Sequence, residues 1–480
     1  IDGQLTDMSL SFTRTYLPNQ TITANVTGGA SPYTCVWSGP ASQTFTGATI
    51  TPTDGYGIYT VTVTDAIGAS ITGTYYFGPV HNITTAVDYP TIQSGITAAL
   101  AGHSLLVDPG TYLEHITINK DITLSGVDKN TTIIDGNNNG VVVTITANGV
   151  TFENFTVRNS GTTANDAGIG LQGVSNCTVS DNIVTNNFAG IALVGCSGNT
   201  IQINTLTSNC FGVYIGSNTI PSTGNTVTAN QISTSIHIAG TTTGDGIYVD
   251  LGCNANFITN NTVNNNGKDG IYIWKSNTQT VTGNIANANA SSGLELMSSS
   301  SNTITGNTFN SNSSYGICIR SGVESSTLSS ITGNTISGNS TGILLKDDVS
   351  GNNYPGVVSG NIISGNKIYL NTSYGLETQQ SPAGVSYTAE YNWWGNASGP
   401  YNDPNNLCGA GNKVSTNVDF DPWYFQEGMT TINTLPVLTV SDIPNISTIT
   451  STPVIIPVTI AYPVFSSTLD PSIMSDARIS

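Results

Sequence analysis

Apolar and polar residues alternate along most of this chain in runs that are too short for helices. One phrase returns in the middle of the chain, a glycine followed by an aliphatic residue, any residue and a second aliphatic residue. It begins at Gly168, Gly190, Gly212, Gly246, Gly270, Gly293, Gly316 and Gly342. A second phrase, asparagine-x-aliphatic, runs in step and begins at Asn204, Asn230, Asn261, Asn307, Asn334 and Asn361. Two phrases that share one period indicate one structural unit, repeated.

The period predicts one coil of a right-handed parallel β-helix for each repeat. The glycine phrases follow one another at 22, 22, 34, 24, 23, 23 and 26 residues, which is too short for a propeller blade and suits strands of two to five residues. In each phrase the two aliphatic residues would point inward and the residue between them outward. The glycine would permit a turn that a side chain obstructs, and the asparagine would adopt the left-handed conformation and hydrogen-bond to its stacked neighbour.

The segments at either end of the repeats predict caps. Residues 91–101 form a short amphipathic helix candidate that would cover the open end of the coil stack. The phrases "YPTIQ", "DPGTY" and "TIIDG", with "YNWWGNASGPYNDPNN" after the last repeat, resemble those of the pectate-lyase-like family, especially its NosD-type, periplasmic copper-binding-like members. The resemblance covers about residues 80–427 and implies the β-helix fold without implying one reaction.

The chain therefore divides into three parts and is all-β. Residues 1–78 alternate strongly without the coil period, and "GGASPYTCVWSG" is similar to SprB-type and polycystic-kidney-disease-like repeats, which implies an immunoglobulin-like β-sandwich with Trp37 in its core and Tyr59 on a strand. Residues 79–427 are the right-handed, single-stranded parallel β-helix with its cap. Residues 428–480 are a strand-rich C-terminal extension.

The C-terminal extension is too short to form a core of its own. It would pack on the β-helix, belong to an incomplete sandwich, or pair with another molecule. Pro453, Pro457 and Pro463 favour an edge position for its strands. If its strand completed the N-terminal sandwich of the next copy, the contact would be head-to-tail and would generate a filament. Copies of the chain itself are therefore the predicted partner.

Composition narrows the class of protein. Only 8% of the residues are charged, and 11 basic against 29 acidic residues give a net charge of −18. This charge would repel nucleic acid and suits an extracellular or cell-surface protein that collects divalent cations. No apolar run is long enough to span a bilayer. The seven cysteines have no metal-ligand spacing and read as buried small hydrophobic residues. Candidate glycosylation sequons begin at Asn19, Asn82, Asn154, Asn312 and Asn445.

An acidic stretch of the repeats is the candidate for chemistry. A polysaccharide lyase needs a base together with Ca²⁺ held by carboxylates. The weak catalytic candidates are Asp245, Asp250, Asp269, Lys275 and Arg320. The weak metal candidates are Asp250, Glu295, Asp347 and Asp348. Against catalysis, Asp245 and Asp269 precede a turn glycine, where aspartate is a common turn former, and Lys268 beside Asp269 reads as a solvated loop residue. The motif sets of the polygalacturonases and alginate epimerases are absent.

A row of aromatic residues makes a better case for binding. Tyr214, Tyr248 and Tyr272 occupy the same outward position in three consecutive phrases, and Trp274 follows two residues later. Rings stacked in this way would form a flat platform for sugar faces. The alternative is a stabilising aromatic ladder covered by the insertion at residues 216–243.

These observations favour an exported structural or adhesive protein without catalysis, with self-assembly through its terminal strands. Two alternatives stay open: a Ca²⁺-dependent carbohydrate-active enzyme of the polysaccharide-lyase type, and a non-catalytic glycan-binding β-helix. Surface glycans are the second predicted partner.

Overall fold

The computed structural model describes residues 7–16, 20–236, 243–347, 356–379 and 385–433. The predicted strand-donating tail, residues 428–480, lies outside the described residues except for residues 428–433, and Asn19, Asp348 and Asn445 also lie outside them. All statements below concern the described residues.

The N-terminal part contains two antiparallel sheets that share one core. The smaller N-terminal sheet consists of Ser9–Thr15, Thr21–Thr27 and Thr49–Ile50. The larger N-terminal sheet consists, in spatial order, of Thr44–Thr46, Thr34–Ser38, Gly57–Thr64 and Ser70–Phe77. Trp37 and Tyr59 lie in this core and are fully buried. Their polar atoms find backbone partners, because Trp37 Nε1 donates to Gly47 O at 2.9 Å and Tyr59 Oη donates to Gly55 O at 3.0 Å. This is the arrangement expected of a β-sandwich.

The repeats form three parallel sheets, which we call the first, second and third sheet in their order along each coil. The first sheet consists of Ser104–Val107, Thr123–Gly126, Thr151–Glu153, Thr178–Ser180, Thr200–Gln202, Thr226–Thr228, Phe257–Thr259, Thr280–Thr282, Thr303–Thr305, Ser330–Thr332 and Ile362–Ser364, preceded by the antiparallel strands Val80–Asn82 and Val87–Tyr89. The second sheet consists of Gly110–Tyr112, Thr132–Asp135, Thr156–Arg158, Ile183–Thr185, Thr205–Thr207, Gln231–Ser233 and Thr262–Asn264. After Ile285, which bridges to Thr262 and to Thr308, it continues with Thr308–Asn310, Thr335–Ser337 and Lys367–Tyr369.

The third sheet has eleven strands and is parallel throughout. It consists of Ile116–Ile118, Val143–Ile145, Ala167–Gln172, Ala189–Val194, Phe211–Gly216, Ile247–Val249, Ile271–Trp274, Ser292–Met297, Tyr315–Arg320, Thr341–Lys346 and Tyr374–Gln379. Two further short pairs are Ser326–Thr327 with Val358–Ser359, and Tyr387–Thr388 with Val418–Asp419. The glycine phrases all lie on this sheet, and their aliphatic residues, such as Ile271 and Ile273, are fully buried as predicted.

The recurring asparagines form buried ladders between the coils. In the longest ladder each side-chain Nδ2 donates to the Oδ1 of the next asparagine at 3.0 Å. Its members are Asn182, Asn204, Asn230, Asn261, Asn284, Asn307, Asn334, Asn366 and Asn392. The predicted stacking is confirmed, but the predicted left-handed conformation is wrong, because the residue before each asparagine adopts it, for example Ile203 with φ 58° and Ala229 with φ 53°. Asn361 belongs to a neighbouring row, where it accepts the N–H of Ser329 at 2.9 Å.

The glycines of the repeat phrase are required by close packing of the coils. None of the eight has a positive φ. A Cβ atom built on Gly293 would lie 2.8 Å from Gly316 O of the next coil and 2.7 Å from a ring carbon of Phe309. The predicted obstruction by a side chain therefore has a cause other than a turn, namely the backbone of the neighbouring coil.

A short helix covers the open end of the coil stack. It spans Ile92–Ala98, which is shorter than the predicted 91–101, and Thr91 is its N-cap in a capping box with Ser94. Ile92 and Ile96 are fully buried against the first coil. Lys120 Nζ donates to three carbonyl groups at the C-terminal end of the helix, those of Ile96 at 3.1 Å, Thr97 at 2.6 Å and Ala99 at 2.7 Å.

Two expectations from composition can be compared with the described residues. No helix among them is long and apolar enough to cross a membrane. All seven cysteines are free, and five are buried as predicted, whereas Cys210 is half-buried and Cys408 is exposed. The buried five are Cys35, Cys177, Cys196, Cys253 and Cys318.

Candidate functional site

The outer face of the third sheet brings the predicted aromatic row together. Parallel pairing places Tyr214 beside Tyr248 and Tyr248 beside Tyr272, one coil apart. The ring centroids of Tyr214 and Tyr248 are 5.6 Å apart with planes inclined by 24°, and those of Tyr248 and Tyr272 are 5.1 Å apart with planes inclined by 48°. Glu295, Cys318, Leu344 and Glu377 continue the same outward position on later coils.

The row is only partly open. Tyr248 and Tyr272 are 6% and 8% exposed, whereas Tyr214 and Trp274 are half-buried. Phe211 packs edge-on against Tyr248 with centroids 5.4 Å apart. We call Phe188, Phe211, Tyr214, Tyr248, Tyr272, Trp274 and Met297 the aromatic cluster. The two inner tyrosines therefore support the cluster, and Tyr214 and Trp274 are the rings that a ligand can reach. Glycan binding by these residues stays a prediction.

An ionic cluster lies beside the aromatic cluster. Asp245 and Asp269 are fully buried, and each carboxylate accepts a backbone N–H from the next coil: Asp245 Oδ1 from Asp269 at 3.1 Å, and Asp269 Oδ1 from Ser292 at 2.8 Å. Lys268 Nζ lies 3.5 Å from an oxygen of each carboxylate and 4.5 Å from the centroid of the Tyr272 ring. Asp245 and Asp269, which the sequence predicted to support turns, therefore bond successive coils to each other.

Glu295 and Arg320 extend the ionic cluster to two further coils. Arg320 forms an ion pair with Glu295, whose side chain is 8% exposed, while that of Arg320 is 31% exposed. Arg320 lies in the outward position that Trp274 and Met297 occupy on the preceding coils, and Lys346 follows it on the next coil. Asp245, Lys268, Asp269, Glu295 and Arg320 together are the ionic cluster below.

Burial and mutual repulsion decide the protonation of the acids. Burial, followed by the charge of Asp269, raises the pKa of Asp245 well above 3.8. Burial and then Asp269 likewise raise the pKa of Glu295, although Arg320 opposes the shift. Burial alone would lower the pKa of Lys268, but Asp245, Asp269 and Glu295 raise it, so Lys268 stays charged at neutral pH. The cations are therefore permanent, and the acid that gains a proton most readily is inaccessible.

The other catalytic candidates lie at the edge of this site. Asp250 accepts the hydroxyl of Tyr214 at 2.5 Å and the N–H of Leu251 at 2.7 Å. Lys275 lies 3.9 Å from Glu324 and 5.7 Å from the centroid of the Trp274 ring. Of the five candidates, Asp245, Asp269 and Arg320 therefore share one cluster, while Asp250 and Lys275 flank the aromatic rings.

The described residues do not fit the predicted Ca²⁺ site. Glu295 is paired with Arg320, and Asp347 accepts the N–H of Val358 at 2.5 Å and the hydroxyl of Tyr387 at 3.3 Å. Asp250 is engaged by Tyr214. Within the described part of the chain no three His, Cys, Asp or Glu side chains converge in a way that could hold a metal ion. Asp348 lies outside it.

The three described sequon asparagines differ in access. Asn82 and Asn312 are 1% and 2% exposed, and their Nδ2 atoms are bonded to His103 and Asn339. The folded protein therefore withholds these two side chains from a glycosylating enzyme. Asn154 is half-buried and has a φ of 62°.

Two features of the site escaped the sequence. Lys268 Nζ lies between the carboxylates of Asp245 and Asp269, whereas its place beside Asp269 in the sequence predicted a solvated loop residue. Phe211 was missed although it stands directly before Gly212, in the position that Asp245 holds before Gly246. The position directly before the glycine was the available signal for Phe211, whereas Lys268 stands two positions before Gly270.

Comparison with known proteins matches two family models to the repeats. A model described as periplasmic copper-binding protein (NosD) matches residues 236–387, and one described as right handed beta helix region matches residues 122–284. No curated protein matches the chain.

Solved structures similar to the chain include proteins with several functions. The A-module of mannuronan C-5 epimerase AlgE4 from Azotobacter vinelandii has 15% sequence identity and a TM-score of 0.42, with 61% of this chain and 95% of that chain covered. A mannuronic acid specific polysaccharide family 6 lyase from human gut microbiota has 11% identity and a TM-score of 0.42, with 62% and 82% covered. The Dettilon tailspike protein has 19% identity and a TM-score of 0.44, with 66% and 63% covered.

At these identities the similarity concerns the fold alone. The two family models together match residues 122–387, which contain all eight glycine phrases and most strands of the three sheets. The repeats of this chain therefore form a right-handed parallel β-helix of the kind that these family models describe.

Proposed function

We propose that the protein binds a carbohydrate on the outer face of the third sheet, without converting it. The observation that carries the proposal is the meeting of the aromatic cluster with a local concentration of cations. Of the 11 Lys and Arg residues in the chain, Lys268, Lys275, Arg320 and Lys346 belong to this face. The coil requires none of them, because its core is made by the inward aliphatic residues.

The accessible groups suit recognition of a sugar. Half-buried rings at Tyr214 and Trp274 offer apolar faces, and the partly exposed side chains of Lys268 and Arg320 offer hydrogen-bond donors to hydroxyl or carboxylate oxygens. Sugar rings combine an apolar face with a polar rim, so this pairing of groups is complementary to them.

Burial of the acids favours binding over catalysis. A general acid or base must come within hydrogen-bond reach of the proton that it moves. Asp245 and Asp269 are 0% exposed, and both are occupied by backbone N–H groups and Lys268. We therefore assign them to positioning Lys268. A carbohydrate-active enzyme acting on the same face is the alternative, and turnover of a bound glycan would establish it.

The proposed setting is the exterior of a cell or the periplasm, in an adhesive role. The composition, rich in small polar residues and with a charge of −18, supports this setting. Assembly into filaments through the terminal strands is a separate proposal that rests on the tail sequence. Light scattering at increasing concentration tests it, and a monodisperse monomer would contradict it.

Binding is tested on a panel of neutral and acidic polysaccharides by affinity electrophoresis, followed by titration calorimetry. Trp274→Ala should weaken binding about fivefold to tenfold, because one stacking ring is lost. Phe425→Ala is the control, since Phe425 is 36% exposed and packs against Trp423. Absence of binding to every glycan, or equal losses in the two variants, would contradict the proposal. Parallel assays for new reducing ends and unsaturated uronates separate binding from turnover.

A further inference from the structure

A buried charge network joins the sandwich to the first coils of the β-helix. Its centre is His81, whose side chain is fully buried. His81 Nδ1 lies 2.9 Å from Asp88 Oδ1, and His81 Nε2 lies 3.0 Å from Asp108 Oδ2. Both ring nitrogens of one histidine therefore face carboxylate oxygens.

The two short carboxylate contacts favour a charged imidazole. A carboxylate accepts hydrogen bonds and donates none, and a neutral imidazole has a single N–H. Both carboxylate contacts are satisfied together only when His81 is doubly protonated, and these contacts are shorter than the 3.5 Å between Arg14 Nη2 and His81 Nε2, which is then a contact between two cations. Arg14 NH1 lies 3.2 Å from Asp88 Oδ2, so two cations balance two carboxylates in the interior. Loss of the proton from His81 would remove one of its two hydrogen bonds to these carboxylates and leave one buried negative charge without compensation.

The network is built from both parts of the chain. Arg14, Gln20 and Tyr56 come from the sandwich, whereas Asp88 and Asp108 come from the entry to the β-helix. Gln20 Nε2 donates to the two oxygens of Asp108 at 3.2 and 3.1 Å, and Tyr56 Oη donates to Asp108 Oδ2 at 2.9 Å. The Arg14 guanidinium lies 4.2 Å from the centroid of the Phe77 ring.

We propose that protonated His81 locks the sandwich onto the first coils, and that the lock opens when His81 loses its proton as the pH rises. The groups around His81 keep their charges while this happens. The carboxylates of Asp88 and Asp108 and the guanidinium of Arg14 are its charged neighbours, and the ring of Tyr16 lies 5.2 Å away. Burial raises the pKa of Tyr16 to about 12, and burial followed by Asp108 raises that of Tyr56, so both phenols stay neutral as His81 titrates.

The sign of the pH dependence follows from the same contacts. Burial alone would lower the pKa of His81, but its hydrogen bonds with Asp108 and Asp88 raise it above 6.5. A base with a higher pKa in the folded than in the unfolded chain stabilises the fold fully below the unfolded pKa. That contribution is lost as the pH rises through the folded pKa. The junction is therefore closed below the folded pKa of His81 and opens as the pH rises through it.

The test is a histidine titration of the full chain by NMR, with ¹⁵N-labelled imidazoles. The chain has four histidines, so His81 is assigned by its loss in His81→Gln. We expect both nitrogens of His81 to remain protonated above pH 6.5, because its carboxylate partners raise its pKa from that value. A His81 that titrates at or below pH 6.5 would overturn the proposal.

Hydrogen exchange measures the opening itself. Amides of Val80–Asn82 and Ser104–Val107, corrected for intrinsic rates, should exchange at least about tenfold faster above the pKa of His81 than below it. His81→Gln should show the fast rates at every pH. His115→Gln should behave as the wild type, because His115 Nδ1 contacts only the Val141 carbonyl, at 2.8 Å, among the described residues. Rates that do not follow the His81 titration would also contradict the lock.

Discussion

The carboxylate of Asp245 accepts the backbone N–H of Asp269, its counterpart on the next coil, at 3.1 Å. The same aspartates repel each other electrostatically while they share Lys268. The buried aspartates thus bond neighbouring coils to each other, while their negative charge in the interior lowers the stability of the fold.

Replacing Asp245 by Asn should make stability less dependent on pH. The unfolded chain ionises Asp245 near pH 3.8, whereas the folded chain resists ionisation because of burial and Asp269. A carboxyl with a raised folded pKa loses stability for the fold as the pH rises above the unfolded value. We expect Asp245→Asn to melt at or above the wild-type temperature at pH 8 and at or below it at pH 4.

Calorimetric melts at the two pH values measure this effect, with exposed Asp121→Asn as the control. If Asp245→Asn were destabilised more at pH 8 than at pH 4, the carboxylate would instead be ionised and needed by Lys268.

Truncation within the longest asparagine ladder should be costly. Asn307 Nδ2 donates to Val281 O at 2.9 Å and to Asn334 Oδ1 at 3.0 Å, and its Oδ1 accepts the N–H of Asn284 at 2.8 Å. Asn307→Ala leaves these buried groups without partners, so the free energy of unfolding should fall by about 2 to 4 kcal/mol. Urea unfolding measures it. Exposed Asn405→Ala should change stability by less than about 0.5 kcal/mol, and equal losses would refute the ladder's role.

A methyl group on a repeat glycine should separate two coils. Gly293→Ala would bring Cβ within 2.8 Å of Gly316 O, a backbone atom that cannot move without its strand. We expect a loss of about 1 to 3 kcal/mol in urea unfolding. Gly428→Ala is the matched control, since Cβ there meets nothing within 4 Å and its φ is not positive. A neutral Gly293→Ala would show that the coils adjust freely.

The cap helix should depend on Lys120. Its ammonium group donates to three carbonyl oxygens that the helix leaves unpaired, so Lys120→Met should lower the free energy of unfolding by about 1 to 3 kcal/mol. Hydrogen exchange in residues 92–99 should rise with it. Lys129→Met provides the comparison, because its ion pair with Asp181 is partly exposed and contributes less than about 1 kcal/mol. Matching losses in the two variants would remove the special role of Lys120.

The fold was predictable because its signal is repeated. Each coil restates the inward aliphatic pair, so the period and the parallel sheets follow from the sequence. The physical reasons for the repeated glycines and asparagines could not be predicted. A sequence does not give the distance between Gly293 and the next coil, nor does it separate Asn204 from Ile203 as the residue with positive φ.

The sequence predicted which residues of the site lie side by side, but not how deeply each of them is buried. Register placed Tyr214, Tyr248 and Tyr272 side by side, as the pairing confirms. Burial of Tyr248 and the bridging role of Lys268 depend on neighbours from several coils, which no single phrase contains. His81 is a similar case, because its partner Asp108 follows another strand and Arg14 lies on a strand of the N-terminal sheets.

The asparagine ladder also explains how the repeats tolerate unequal lengths. Successive members stand 22, 26, 31, 23, 23, 27, 32 and 26 residues apart in the sequence, yet every step in space is the same 3.0 Å bond. Each coil therefore contributes one asparagine to the ladder, whatever the number of residues between successive members. In the step from Asn204 to Asn230 the extra residues include 218–221, which are exposed, so this architecture can acquire new loops, and with them new surfaces, while its interior register stays fixed.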